Sequence, residues 1–331
     1  MSSETMTTIK TYFTDLPSDA ALVARTVHKE TFIQPFSETF DSTVTIVISF
    51  VAIACIHMVF LRIVKSNQNM LQLTNPKEVQ KAAYQFTNML VNFTLGITGL
   101  YTIYNAPDTF ALIFPSNEPD LLQRITGYGH LTHFCAYQLG YNLWALPVGV
   151  LIVDENPVMI LHHISVLSST VLACYTNIRY TIYAAYIFGL AELSSVPLAI
   201  MNLLKERSEW TKKNFATGFA IVKVCFATSF LTLRIGLATP MIMDLTRSSF
   251  LVLSTMTFWK QEQFIDGSES IDTVKIVICG FNFVLMCCLG FLQVSYEIKR
   301  RTLFMSCLEE CIHLLCDTQH SQNLHCFMVE F

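Results

Sequence analysis

Residues 157–176 read PVMILHHISVLSSTVLACYT, a stretch without Asp, Glu, Lys or Arg whose only ionisable side chains are the adjacent imidazoles of His162 and His163 and the ordinary Cys174 and Tyr175. A run of roughly 20 mostly apolar residues is what an α-helix needs to cross about 30 Å of hydrocarbon. Comparable runs lie on both sides of it, at 43–64, 84–104, 130–153, 180–203, 214–238 and 273–296. The chain of 331 residues is 52% hydrophobic and 14% charged, with a mean hydropathy of +0.45. A soluble domain carries about a quarter charged residues to dress its surface. These patterns predict an all-α, polytopic transmembrane helical bundle of about seven spans, without a soluble catalytic domain.

The connections are short where the polar residues are dense. Asp154-Glu155-Asn156 joins the third and fourth runs, and Asn177-Ile178-Arg179 the fourth and fifth. Links of that length hold antiparallel neighbours together, so spans three to five are expected to form one compact unit. Lys65, Lys77, Lys81, Lys205, Arg207, Lys212, Lys213, Lys299, Arg300 and Arg301 flank one side of the bundle; Lys29, Arg124, Arg179, Arg247 and Lys260 flank the other. Positive loops stay in the cytosol. The N-terminus is therefore expected to be lumenal or extracellular, and the tail cytosolic.

Outside the spans the signals are weaker. Residues 1–42 form a polar N-terminal segment with no cleavable signal peptide, so 43–64 reads as an uncleaved first anchor. Phe32, Phe36 and Phe40 fit an interfacial helix, against which Pro35 counts. The apolar piece 248–259 is too short to cross and reads as re-entrant or interfacial. Cys55, Cys135, Cys174, Cys225, Cys279, Cys287 and Cys288 lie in apolar runs and read as small packing residues. The tail, 302–331, carries Cys307, Cys311, Cys316 and Cys326 with His313, His320 and His325, in a spacing that matches no standard zinc finger. Membrane-proximal S-palmitoylation suits those cysteines better than metal. No metal site is expected. A net charge of −4 and the absence of a basic domain exclude nucleic acid as a partner.

An ionisable group at membrane depth is costly and turns toward protein or a water-filled cavity. The two histidines begin about 8 Å from the cytosolic end of their span, and adjacent helical positions point about 100° apart. His162 continues into Ser165 and Ser169, and His163 into Thr170, giving span four a broad polar sector. Span three offers His130, His133, Tyr137, Tyr141 and Trp144 at spacings of three or four. Glu192 of span five lies on a face with Gly189, Ser195 and Ala199, and Pro197 is expected to bend that span. Span six contributes Lys223 and Arg234; Lys223 and Glu192 fall at similar depth, which predicts a pair. These groups are the candidate lining of a lipid or substrate cavity, with His162 and His163 as candidate catalytic residues. Each also has a plain packing role open to it. A lone histidine such as His57 is more often a hydrogen-bonded packing residue, and the aromatic stripe of span three favours packing over a ligand cage. The sequon at Asn92 lies inside a span, where glycosylation is not expected.

Three pieces of this sequence resemble the TLC-domain family, the homology group of ceramide synthases, translocon-associated chain proteins and lipid-homeostasis proteins. They are the His162-His163 pair with its Ser-rich helix, Asn177 and Arg179; Ala191-Glu192-Leu193-Ser194-Ser195-Val196-Pro197; and Ser229-Phe230-Leu231-Thr232-Leu233-Arg234-Ile235. Gly140-Tyr141-Asn142-Leu143-Trp144 is similar as well. The resemblance spans roughly 76–301. It implies a multi-pass membrane protein of the endoplasmic reticulum or a nearby secretory membrane, which binds lipids or affects membrane lipid composition or trafficking. Membrane lipids are the expected partners, a homo-oligomer stays open, and no cofactor is expected.

Ceramide synthases carry a His-Asp and a further Asp downstream of the paired histidines. Here that stretch is Gly189-Leu190-Ala191-Glu192-Leu193, and Ala145 stands where an Asp often follows the Gly-Tyr element. The departures speak against sphingoid-base N-acylation, but leave it as the alternative. In that reading His162 or His163 accepts an acyl group or acts as general base, and acyl-CoA enters only as substrate. A seven-helix receptor is more remote, since span three ends in Val153-Asp154-Glu155-Asn156-Pro157 without an Asp-Arg-Tyr element.

Overall fold

The computed structural model describes residues 36–73, 75–105, 127–176, 181–205 and 208–250, with Leu253, Val277, Gly280 and Val284. Most of the described residues are helical. Helix α1 (Phe36–Ser66) has Glu38 in its first turn and Lys65 in its last, which complements the helix dipole. Its buried residues Ser42, Ile46, Ser49, Ile53, His57 and Val64 form one stripe, while Val47, Ile48, Val51, Met58, Val59 and Ile63 are exposed. A helix apolar around its circumference but buried on one stripe only fits a lipid surrounding. No separate interfacial helix forms at Phe36 and Phe40: both belong to α1, and Phe32 lies outside the described residues.

Helix α2 (Pro76–Asn105) starts with the Asn75 side chain accepting from Lys77 N at 2.9 Å and Pro76 in its first turn. Helix α3 (Thr132–Val148) follows the 3-10 turn Gly129–Leu131 and runs into a π-helical turn, Gly149–Val153. Helix α4 (Pro157–Tyr175) opens with Asn156 Oδ1 accepting from Val158 N at 2.9 Å and Pro157 at its first position. The fifth run is broken into the 3-10 turn Thr181–Tyr183, the short α5 (Ala184–Ile187), a 3-10 turn Leu190–Ser194, and α6 (Ser195–Lys205). After α7 (Ser208–Asn214) comes α8 (Ala216–Ser229), which passes through a π-helical stretch, Phe230–Ala238, and stays helical to residue 250.

Among the described residues, five segments are long and apolar enough to cross a membrane: Ser37–Ser66, Gly129–Val153, Pro157–Tyr175, Thr181–Lys205 and Ala216–Phe250. The expected count of about seven is not confirmed among these residues. The expected second span lies in α2, but Gln85, Asn88 and Asn92 and four threonines keep it below the apolarity of the others. The expected seventh, 273–296, lies outside the described residues apart from isolated positions. Of the short apolar piece 248–259, Ser248 and Ser249 are buried within the last helical segment, and most of the rest lies outside the described residues. The tail cysteines also fall outside the described residues.

Helix α1 packs against α2 and α3, α3 against α4, and α2 against α6 and the 3-10 turn at 190–194. Gly140 makes the α1–α3 crossing close: a Cβ there would lie 2.8 Å from both Ile46 O and Ser49 Cβ. One apolar cluster joins Leu131 of the preceding 3-10 turn and Phe134 and Leu139 of α3 to Val166 and Ala173 of α4, to Ile182–Tyr186, and to Met241 and Leu245. The compact unit expected of spans three to five is therefore present, and the end of the sixth joins it.

The break in the fifth span is upstream of Pro197, which sits harmlessly in the first turn of α6. Gly189 carries the distortion, at φ −116° and ψ −93°. A Cβ on Gly189 would stand 2.8 Å from Gly99 Cα, and one on Gly99 2.5 Å from Ala185 O. Two backbones touch here. Gly99→Leu is accordingly expected to lower unfolding stability by roughly 1–3 kcal/mol, read as a lower thermal midpoint in detergent. Gly236→Ala, whose methyl would meet only Leu231 O at 3.4 Å, is expected to stay within about 0.5 kcal/mol of the parent.

Candidate functional site

The polar residues of α2, α3 and α4 converge near the end at which α3 stops. The α3 chain closes with Asp154 in the left-handed region (φ 54°) and Glu155 N donating to Gly149 O at 3.0 Å, the carbonyl-capping hydrogen bond of a helix C-terminus. That reversal folds the Glu155 side chain back against the helix it has just left. Its carboxylate lies against Gly149, where a Cβ would come within 2.6 Å of Oε2. Asp154 stays outside, paired with Lys77 at the start of α2.

Glu155 thus reaches His163. His163 Nε2 is 3.5 Å from Glu155 Oε2, and both side chains are largely buried. The other ring nitrogen, Nδ1, is 2.8 Å from Asn142 Oδ1. The Asn142 amide nitrogen donates to Gln138 O at 2.7 Å, so its oxygen faces the ring and Nδ1 is the donor. Tyr84 donates to Glu155 Oε1 at 3.5 Å. Tyr141, edge-on to His163 at 6.2 Å between ring centroids, donates to Asn88 Oδ1 at 3.2 Å. Trp144 lies between Tyr84 and His57, at 5.3 and 5.2 Å. His57 bonds Thr87 Oγ1 at 3.3 Å, while that hydroxyl donates to Ala83 O. His57 is a satisfied packing residue.

A second cluster spans the two distorted helices. Arg234, in the π-helical stretch, donates from Nη2 to Glu192 Oε2 and Ser195 Oγ, and from Nε to Ser194 Oγ, each at 2.9 Å. Ser195 Oγ also donates to Glu192 Oε2 at 2.8 Å. Both charged side chains are more than four-fifths buried. The π-helical turn frees carbonyls as it presents Arg234, and Tyr186 caps one by donating to Leu233 O at 2.7 Å. The two clusters are neighbours: Tyr141 lies within electrostatic reach of Glu155 and Glu192, and His162 within reach of Arg234.

Set against the sequence, this arrangement brings together His162, His163, Tyr141, Trp144, Glu192, Ser195 and Arg234. It corrects the expected Glu192–Lys223 pair. Lys223 lies over the Phe219 ring at 4.7 Å on its own helix, and Arg234, eleven positions on, takes the carboxylate. Tyr137 is 45% exposed and faces outward, away from the cluster. His133 bonds the carbonyl of His130 near the opposite end of α3. Ser165 and Ser169 are buried, but their hydroxyls donate to Leu161 O and Ser165 O within their own helix. Asn177 and Arg179 lie outside the described residues. Glu155, Tyr84, Asn88 and Ser194 were not singled out as site residues by sequence reasoning. Glu155 had a signal: an acidic residue directly before an Asn-Pro helix start sits beside the end of the preceding helix.

A family model described as TLC domain matches residues 78–296, two-thirds of the chain and both clusters. The chain belongs to the TLC-domain family. No curated protein sequence and no solved structure matches it. This TLC-domain protein therefore carries its paired histidines and its Glu-Leu-Ser and Leu-Arg-Ile elements at one buried place, and no group of three or more metal-ligating side chains occurs among the described residues.

Two outcomes follow from these contacts. Arg234→Ala leaves Glu192 buried and unpaired, and is expected to cost about 3–5 kcal/mol of stability; the double change Arg234→Met with Glu192→Leu is expected to recover most of it, by thermal unfolding in detergent. At the bundle's end, the Lys77 ammonium holds the Asp154 carboxyl below its ordinary value of 3.8. A depressed carboxyl contributes above that value and loses the contribution as pH falls through the depressed one. Lys77→Met is expected to return Asp154 toward its ordinary titration, read by carboxyl-carbon NMR of labelled aspartate.

Proposed function

We propose that this TLC-domain protein handles membrane lipids, holding the polar head of an amphiphile at the clusters around His163 and Glu192 and its chains among the surrounding apolar helices. The observation that carries the reading is the convergence of two buried polar clusters on facing helices, which are distorted at the points that present them. Charged groups inside a bilayer mark binding sites and pathways when they are gathered on facing helices. Membrane lipids are the partners the reading requires.

Acyl transfer remains the second reading, favoured by one feature. Glu155 supplies a carboxylate to the paired histidines from upstream, where the acids expected downstream are absent. The reading without ceramide synthase activity is preferred because Arg234 already engages Glu192, the acid of the downstream stretch. We also place the protein in the endoplasmic reticulum, with a lumenal N-terminus and a cytosolic tail. The contact of Lys77 with Asp154 is consistent with alternating spans, as it sets the α2 start and the α3 end on one side, and the lysines and arginines on that side are what favour the cytosol there.

The test is lipid mass spectrometry of the purified protein. A defined lipid class is expected to co-purify with the parent and to fall at least about threefold in Tyr141→Ala, the loss that one weak hydrogen bond accounts for. Equal lipid content in both would remove the head-group assignment. Long-chain base and acyl-CoA supplied together are expected to give no amide; product formation abolished by His162→Ala or His163→Ala would establish the acyltransferase instead.

A further inference from the structure

His162 and His163 are adjacent in sequence but are held differently. The two nitrogens of His163 are both covered: Nδ1 is hydrogen-bonded to Asn142 at 2.8 Å, and Nε2 lies 3.5 Å from Glu155 Oε2 without a hydrogen bond between them. Asn142 cannot rotate without losing its own bond to Gln138 O. Glu155 Oε2 is buried and has no hydrogen-bond donor among the described residues, which leaves His163 Nε2 as the polar group it faces. His162 makes no hydrogen bond among the described residues; its surroundings are the His163 ring at 5.8 Å and the charge of Arg234.

We propose that Glu155 is a positioning residue of the paired-histidine site: its carboxylate covers Nε2 of His163 while Asn142 bonds Nδ1, which leaves His162 as the imidazole presented to a bound head group. The carboxylate reaches its place because three local features coincide. The left-handed Asp154 turns the chain, the Glu155 amide fastens it to Gly149 O, and the missing side chain of Gly149 makes room for Oε2. Lys77 fixes Asp154 from outside, so that of the two consecutive acids one is spent at the surface and the other is directed inward. The groups facing His163 are then Glu155 from the α3–α4 connection, Asn142 and Tyr141 from α3, and His162 from its own helix. An acid at this position acts through His163 and touches no ligand.

The inference deepens the lipid-handling reading by dividing the roles of the two histidines, and it is tested without reference to any lipid. The purified full chain in detergent is treated briefly with diethyl pyrocarbonate at neutral pH, and modification of each histidine is read by peptide mass spectrometry. His162 is expected to react about tenfold faster than His163, the factor that one buried hydrogen bond and a carboxylate covering the other ring nitrogen impose. In Glu155→Gln the two rates are expected to come within about threefold, with His57 and the thermal midpoint unchanged, and Glu155→Asp is expected to restore part of the difference. Gly149→Ala displaces the carboxylate without removing it and is expected to act like Glu155→Gln, which keeps the test open if that variant fails to fold. Equal rates in the parent, or a ratio untouched by both Glu155→Gln and Gly149→Ala, would overturn the proposal. Loss of the lipid reading, by contrast, would show as absent co-purified lipid with the histidine ratio intact.

Discussion

A guanidinium in hydrocarbon has to be answered by acceptors, and in this protein the answer organises half the bundle. Arg234 takes Glu192, Ser194 and Ser195 in one grasp. To meet it, the fifth span abandons regular α-helix for a 3-10 turn, and the sixth widens to a π-helical one. Such departures from α geometry are rare outside places where side chains must be re-aimed. The touching backbones at Gly99 and Gly189 follow from the same demand, since the broken span has to be supported by α2 where its own ladder is interrupted. The helix whose ladder is lost gains an external brace.

The histidine cluster obeys the same rule with different means. There the carboxylate comes from a connection, turned inward by a left-handed residue and a helix cap. Polar partners from nearby chain positions make the α3–α4 hairpin self-sufficient: Asn142, Glu155 and His163 all belong to it. The aromatic residues Tyr84, Trp144 and Tyr141 wall this hairpin from α1 and α2.

The all-helical membrane class was legible in the sequence, because twenty-residue apolar runs have few other readings. Within the site, His163, Glu192 and Arg234 were legible as costly groups that must face inward. Their partners were less so. Depth along a helix placed Lys223 level with Glu192, but depth says nothing of direction, and the π-helical widening that turns Arg234 toward Glu192 leaves no periodic mark. Tyr137 had the spacing of Tyr141 and Trp144, yet a span in lipid has no polar face to mark its outside, so exposure could not be separated from burial by pattern alone. Ser165 and Ser169 looked like a polar sector because a hydroxyl bonded to its own helix reads the same as one that faces a cavity. Glu155 looked like a loop residue because one positive φ, which propensity does not encode for Asp154, decides where it goes.

The separation of partners along the chain has a consequence for biosynthesis. Glu155, Asn142 and His163 leave the ribosome within one hairpin, so that unit can enter the bilayer with its polar groups already gathered. Glu192 cannot: its counter-charge lies 42 residues downstream. While those residues are being made, the acid waits without its guanidinium, in a segment that lacks a continuous helix to hold it in place. The fifth span is therefore the one whose insertion has to be sheltered until the sixth arrives.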